Sequence, residues 1–462
     1  MLLRKVSLSG HLFRQRSGKN LKEEHVMRLH VKTGLAVAMA AATLLTTACG
    51  SGSNPSTTSS SGGAGSTDVT LTWWHNANTD PGLTFWSDTA KAYDAAHPGV
   101  KINIQVYQNE DLRAKLKTVF GSPDAPNIFQ QWGGGELADQ VKGGYVEDIT
   151  DKAADAITAL GGAGNISGWT VDGKVYGLPY TLGIEGIYYN KDLFQKAGIT
   201  AAPTTMAELN DAVTKLKAAG IQPIAVGGKD AWPAAHWYFN FALRECTLDV
   251  MNATVKSLKF SDACWQKAAQ DLADFTATNP FNDGWATTAA QVGAGSSAGM
   301  LANGQAAMEL MGIWEAPVVG SLTPDQQIPG FLDWFPFPAV DGGQGDPSAA
   351  MAGGDGMSCL AGSPDACADF LSYMVSTDVQ KDYATTTNSA PSNPAAASSL
   401  TQPIVAKVAG AAKDCKYTML WLDTAYGANV GGAINNNVVA LMNGTLNPAS
   451  FIAAVQKAAD AG

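Results

Sequence analysis

Apolar and polar residues alternate from 69 to 74, a period of two that predicts a strand ending on Trp73 and Trp74, whose side chains face opposite ways. Over 85–96 the apolar residues recur at helical spacing until His97, Pro98 and Gly99 stop the run. A second strand is predicted over 100–107. A second helix follows from Asn109 to residue 120, with Leu112, Leu116, Val119 and Phe120 on one face, and a short buried strand over 127–131. This β-α-β-α-β opening predicts a mostly parallel sheet covered by helices. An Asp172-Gly173 turn within 171–176 predicts a hairpin, and a strand over 186–189 runs into a helix at Asp192. The strongest helical stripe, Leu209, Val213 and Leu216 within 206–219, stops at Gly220. Further helices are predicted over 232–243, 262–276, 365–375, 433–442 and 448–459, and strands over 307–311 and 332–337. No repeat is visible. The expected class is α/β, with two lobes, the second richer in helix and the chain crossing between them more than once.

Composition sharpens this. Only 15% of the 462 residues are charged and 45% are hydrophobic, where about a quarter charged is usual, so a packed globular body is expected and a disordered or nucleic-acid-binding chain is not. The net charge of −11 hides a split: residues 1–48 carry +6 and the rest −17. Arg28, His30 and Lys32 precede an apolar run over 33–45, then Thr46, Thr47, Ala48 and Cys49, the basic, apolar, small-residue order of an export signal. A run of that length is too short to span a bilayer, which takes about 20 apolar residues. Small residues ending on Cys resemble a bacterial lipobox, although Thr46 stands where Leu is usual. We therefore expect 1–48 to be a signal peptide, with 1–26 an over-extended start because Met27 begins a complete signal. Cys49 is expected to be lipidated, 49–67 a flexible Ser/Thr/Gly tether, and 68–462 the working body. Outside the cytoplasm the remaining cysteines are expected to form two local bridges, Cys246 to Cys264 and Cys359 to Cys367, leaving Cys415 unpaired. None has zinc-site spacing, and no metal is expected.

GLPYTLGIEGIYYNKDLFQKAG at 177–198, followed by PTTMAEL at 203–209, resembles the middle of the extracellular solute-binding proteins of bacterial carbohydrate ABC importers. TWWHNAN at 72–78, QQWGGGELADQ at 130–140, GQAAMELMGIWE at 304–315 and GGDGMS at 353–358 fall where that family has comparable segments. The resemblance implies a two-lobe periplasmic-binding-protein (Venus flytrap) fold of the cluster type, with a hinge between lobes. It also implies capture of a carbohydrate ligand and delivery to transmembrane permease subunits served by a cytoplasmic ATPase. A monomer is expected, held to the outer face of the cytoplasmic membrane by its lipid, with no catalysis, cofactor or nucleic acid. TWWHNAN with QQWGGGELADQ looks most like the branch taking xylobiose and short β-linked xylo-oligosaccharides.

The residue chemistry points the same way. A sugar presents C–H faces and a rim of hydroxyls, so its site needs flat aromatic platforms beside planar polar side chains. That combination occurs at Trp74-His75-Asn76, at Gln131-Trp132 and at Trp314-Glu315, with Trp232 near a helix start. Each has a plainer reading. Either Trp73 or Trp74 is core, and Trp74 is placed at the mouth. His75 and Asn76 follow the strand's C-terminal end, where open α/β sheets hold ligands, or serve a turn. Asn109 reaches the sugar or caps its helix, and Glu110 serves the site or complements the helix dipole. Gly133 to Gly135 make a turn or admit ligand to the backbone. Glu185 contacts ligand or is structurally paired, and Asp355 accepts a hydroxyl or forms a turn. Trp232 and Trp314 are platforms or core. Asp423 is read as structural.

Two rivals remain. A secreted glycosidase could draw a carboxylate pair from Glu110, Glu185, Glu315 and Asp355. The string at 295–299 matches a nucleophile elbow, but that chemistry needs a later His, and the last is His236. An adhesin would usually show repeats.

Overall fold

The computed structural model describes residues 68–461; the expected signal peptide, Cys49 and the tether lie outside them. Strand β1 (Val69–His75) pairs in parallel with β2 (Val100–Val106) and β3 (Ile128–Gln131) in the order β2-β1-β3, with α1 (Gly82–Ala96) and α2 (Asn109–Val119) as the crossovers that parallel pairing requires. Two antiparallel strands, Gly356–Cys359 and Leu178–Pro179, complete this five-stranded sheet. The first lobe's core forms where Leu71, Trp73 and Ile128 meet Trp86, Tyr93 and Phe370.

A second sheet has the order Leu332–Phe335, Gly186–Asn190, Ala306–Met311, Gln222–Ile224. Helix Trp232–Glu245 packs on it with every residue buried, which accounts for a sequence apolar nearly all round. Trp237, Phe241, Trp265, Leu272, Ile434 and Phe451 belong to its core. Between the sheets, Gly183–Ile184 and Ala350–Gly353 pair antiparallel, the latter also flanked by Thr418–Leu420. Both segments run from a strand of one large sheet to a strand of the other, so they are where the chain crosses the two-lobe α/β fold.

The predicted elements are present, most with edges moved by one or two residues and α1 starting three residues earlier, and the hairpin turns at Asp172 (φ 50°) and Gly173 (φ 81°), the left-handed pair its tight turn needs. Three departures matter. Strand β1 runs one residue further than its alternation suggests, because His75 still pairs with Val106. The glycines read as a turn or a ligand approach instead open α3 (Gly134–Lys142): a Cβ on Gly135 would lie 2.6 Å from the Ala425 carbonyl and 2.7 Å from the Gly427 nitrogen. They admit a neighbouring backbone, not a ligand. The predicted helix 433–442 begins earlier, as Gly427–Met442, its first turns hidden by Gly427, Gly431 and Gly432.

Cys246 is bonded to Cys264 and Cys359 to Cys367, while Cys415 is free and half-buried. The bridge spanning 18 residues restricts the unfolded chain by about 3 kcal/mol, and the one spanning 8 by about 0.7 kcal/mol less. Among the described residues no helix is long and apolar enough to cross a membrane.

Candidate functional site

The site begins where β1 ends. Beyond His75 the chain leaves the sheet and Asn76 donates from Nδ2 to Asn109 Oδ1 at 3.1 Å. Asn109 is available because Gln108, one residue earlier, caps α2: its Oε1 accepts from Glu110 N at 2.7 Å and Asp111 N at 3.3 Å. One helical turn later Arg113 reaches over the Trp132 indole, 4.2 Å from guanidinium carbon to ring centroid. Its Nη1 donates to Glu136 Oε2 at 2.7 Å, and its Nη2 lies 3.3 Å from Thr424 Oγ1 and 3.9 Å from Asp423 Oδ2. Burial alone would weaken this cation, but Glu136, Asp423, Glu110 and Asp355 more than offset it and hold its pKa above the ordinary arginine value.

Asp355 occupies the tight connection between Ala350–Gly353 and Gly356–Cys359. Gln130 Nε2 donates to it at 2.6 Å, and the polar ends of Asn76 and Trp132 lie near enough to favour its charged form. Burial nonetheless pushes its carboxyl up to about 6 against those donors and Arg113. Burial likewise takes Glu110 up to about 7.

The facing wall comes from the second lobe. Trp232 opens the long buried helix, and its ring centre is 6.0 Å from that of Trp314, which in turn is 5.3 Å from Trp421. Trp421 lies parallel to His236 at 5.8 Å. Behind both, Glu185 accepts from Trp421 Nε1 at 2.9 Å, and its other oxygen lies 3.1 Å from His236 Nδ1. The space enclosed is about 180 Å³. Its walls are indole faces interrupted by amide, carboxylate and guanidinium groups, an arrangement that can stack on a ring and exchange hydrogen bonds around its edge.

Of the residues singled out from sequence, Asn76, Asn109, Trp132, Trp232, Trp314 and Asp355 line this cavity. Five do not. Trp74 packs edge-on against Tyr107 beside α2, in a cluster with Leu112 and Leu116. His75, with β1 extended through it, shares the inner face with Trp73, 4.6 Å between rings, and is fully buried. Burial takes its pKa down to about 3. Gln131 faces away from Gln130 by strand alternation; it accepts from Gly133 N at 2.8 Å and donates to Gln140 at 2.7 Å, so the residue serving the site is its neighbour. Glu185 stands behind the wall. Glu315 begins the helix Glu315–Ser321 and points away from the cavity toward Glu309. Of the four carboxylates nominated for a glycosidase, only Asp355 lines the cavity.

Arg113, Tyr180, Tyr383 and Trp421 line it without having been singled out, and so does Asp423, which was read as structural and does accept from Asn435 Nδ2 at 3.1 Å. Arg113 had a signal, its i+4 spacing from Asn109. Tyr383 and Trp421 come from distant segments and had none.

The Glu309 and Glu315 carboxyls are fully buried side by side, with Ser297 and Gln291 as polar neighbours and, among the described residues, no cation paired with them. Burial pushes Glu309 up to about 8, and burial with the Glu309 charge raises Glu315 further. An acid whose folded pKa is raised stabilises the fold fully below its unfolded value of about 4.5 and loses that contribution as pH rises through the folded value. Unfolding free energy is therefore expected to fall between about pH 5 and pH 8. In Glu309→Gln the slope should flatten; urea titrations at the two pH values that give an unchanged slope would refute the buried pair as its source.

The family model described as bacterial extracellular solute-binding protein matches residues 76–381. A putative binding protein of Brucella abortus (strain 2308) is 31% identical over 170 residues, 36% of this chain and 40% of that protein. The chain thus spans well under half the length of such relatives. Among solved structures, one described for xylan utilization by the thermophilic bacterium Caldanaerobius polysaccharolyticus superposes with a TM-score of 0.76 at 25% identity, covering 84% of this chain and 99% of the other. A chitin oligosaccharide binding protein superposes with a TM-score of 0.77 at 24% identity, over 85% and 98%.

Proposed function

The chain belongs to the bacterial extracellular solute-binding proteins, and from that premise we propose that it captures a neutral sugar outside the cytoplasm and delivers it to the permease of an ABC importer. The observation that carries this is the enclosed cavity between the lobes, where the Trp132, Trp232, Trp314 and Trp421 indoles surround hydrogen-bonding groups fixed by their own partners. Pre-fixed groups lose little freedom when ligand arrives. The ligand proposed is a short β-linked oligosaccharide such as xylobiose; the neighbour described for xylan utilization supports that choice. The crossing segments Gly183–Ile184 and Ala350–Gly353 are the proposed hinge, and Asp355, two residues beyond the second, couples ligand contact to it. Lipidation at Cys49, working as a monomer at the outer face of the cytoplasmic membrane, completes the reading.

Saturating xylobiose should raise the unfolding free energy by about 2.7 kcal/mol at 100 times the dissociation constant. A panel of disaccharides in a thermal-shift assay checks this. Stabilisation by no sugar in the panel would sink the proposal.

A further inference from the structure

Resting on the sugar reading, we infer that the ligand is held end-on: one terminal ring is enclosed among the indoles while the rest of the chain leaves along a groove between the lobes. The space among the indoles, about 180 Å³ and partly open to solvent, is close to the roughly 150 Å³ that accommodates a benzene ring, the size of about one six-membered ring. A second cavity of about 900 Å³ shares Asn78, Thr79, Asp80, Pro81 and Pro317 with it, so the two adjoin at the 78–81 loop.

The two ends of the enclosed part differ. One is shut by the Arg113 cluster, where Glu136, Asp423 and Thr424 hold the guanidinium over Trp132. The other opens beneath the 78–81 loop, which is tied down where Thr84 N and Oγ1 donate to Asp80 Oδ1 at 3.2 and 2.6 Å. The groove beyond that loop is the assigned exit. The chemistry also changes across it. No Trp lines the groove; its walls are bordered by exposed polar residues such as Thr84, Asp88, Gln326, Gln327 and Asp382. Rings lying there gain solvated hydrogen bonds, worth little net, and meet no indole, the groove's aromatic side chains being Phe85 and Tyr373. Recognition is concentrated on the terminal ring, and the protein takes a series of oligosaccharides sharing that end.

Calorimetry on the full chain with xylobiose, xylotriose and xylotetraose tests this, together with xylotetraose blocked by a bulky aromatic group at the reducing end or at the non-reducing end. The three free sugars are expected to bind within about threefold of one another. One blocked tetraose should keep that affinity and the other lose at least thirtyfold. If free xylotetraose binds but both blocked forms fail, or both bind, end-on holding is overturned while the sugar reading stands. If no free sugar binds, both fall. The groove variant Gln327→Trp should weaken xylotetraose at least tenfold and leave xylose unchanged; equal tetraose affinity would overturn the groove as the exit.

Discussion

Arg113→Met is expected to destabilise the protein by roughly 3–5 kcal/mol, the cost of removing one partner from a buried charge pair, and to abolish sugar binding. The guanidinium is the central cation of a cluster containing Glu136, Asp423, Glu110 and Asp355, and its side chain is only 16% exposed. Taking it away leaves Glu136 without its 2.7 Å partner and removes the contact over Trp132, so the indole loses the group that fixes its face. Arg113→Lys should recover part of the stability and little of the binding, because an ammonium cannot bridge Glu136 and Thr424 from a planar fork. Urea denaturation measures the first effect; a loss below about 1 kcal/mol would show that the cluster does not depend on this charge.

Trp314→Ala is the second large effect. The indole sits between Trp232 and Trp421, and the three rings form part of the second lobe's share of the cavity wall, beside His236 and Gln291. Central aromatic anchors typically contribute 2–4 kcal/mol to binding, so xylobiose affinity should fall about 30-fold to 1,000-fold. Trp314 is only half-buried and lines an open space, so the unliganded protein should melt close to the parent. Trp132→Ala is expected to lose affinity likewise but to melt lower, because Trp132 is buried among Leu112, Leu116 and Phe129. Calorimetry with unaltered affinity in both variants would refute the platforms.

What the sequence could and could not reveal follows from how each feature is encoded. Periodicity is local, and it exposed β1, α1, β2 and the Leu209 stripe. Strand ends are set by pairing, and the one extra residue of β1 carries His75 inside. The same alternation separates Gln130, bonded to Asp355, from Gln131, which braces α3. Trp132 and Trp314 were legible because each follows a strand by one or three residues, where the chain emerges from the sheet. Trp421 was not: its place in the wall depends on Glu185, 236 positions away, receiving its indole N–H. Glycines were misleading for a related reason. Gly135 is required by Ala425 and Gly427, a contact between distant segments that no local pattern records. Glu315 followed a candidate platform and shared its credit, yet a helix starting at that residue turns it the other way.

The claim at the centre is that this cleft holds a sugar and returns it unchanged. The most direct measurement is a calorimetric titration of the purified protein with xylobiose, followed by chromatography of the same sample after prolonged incubation. Saturable one-to-one binding with xylobiose recovered intact is the expected result. Release of xylose would contradict it.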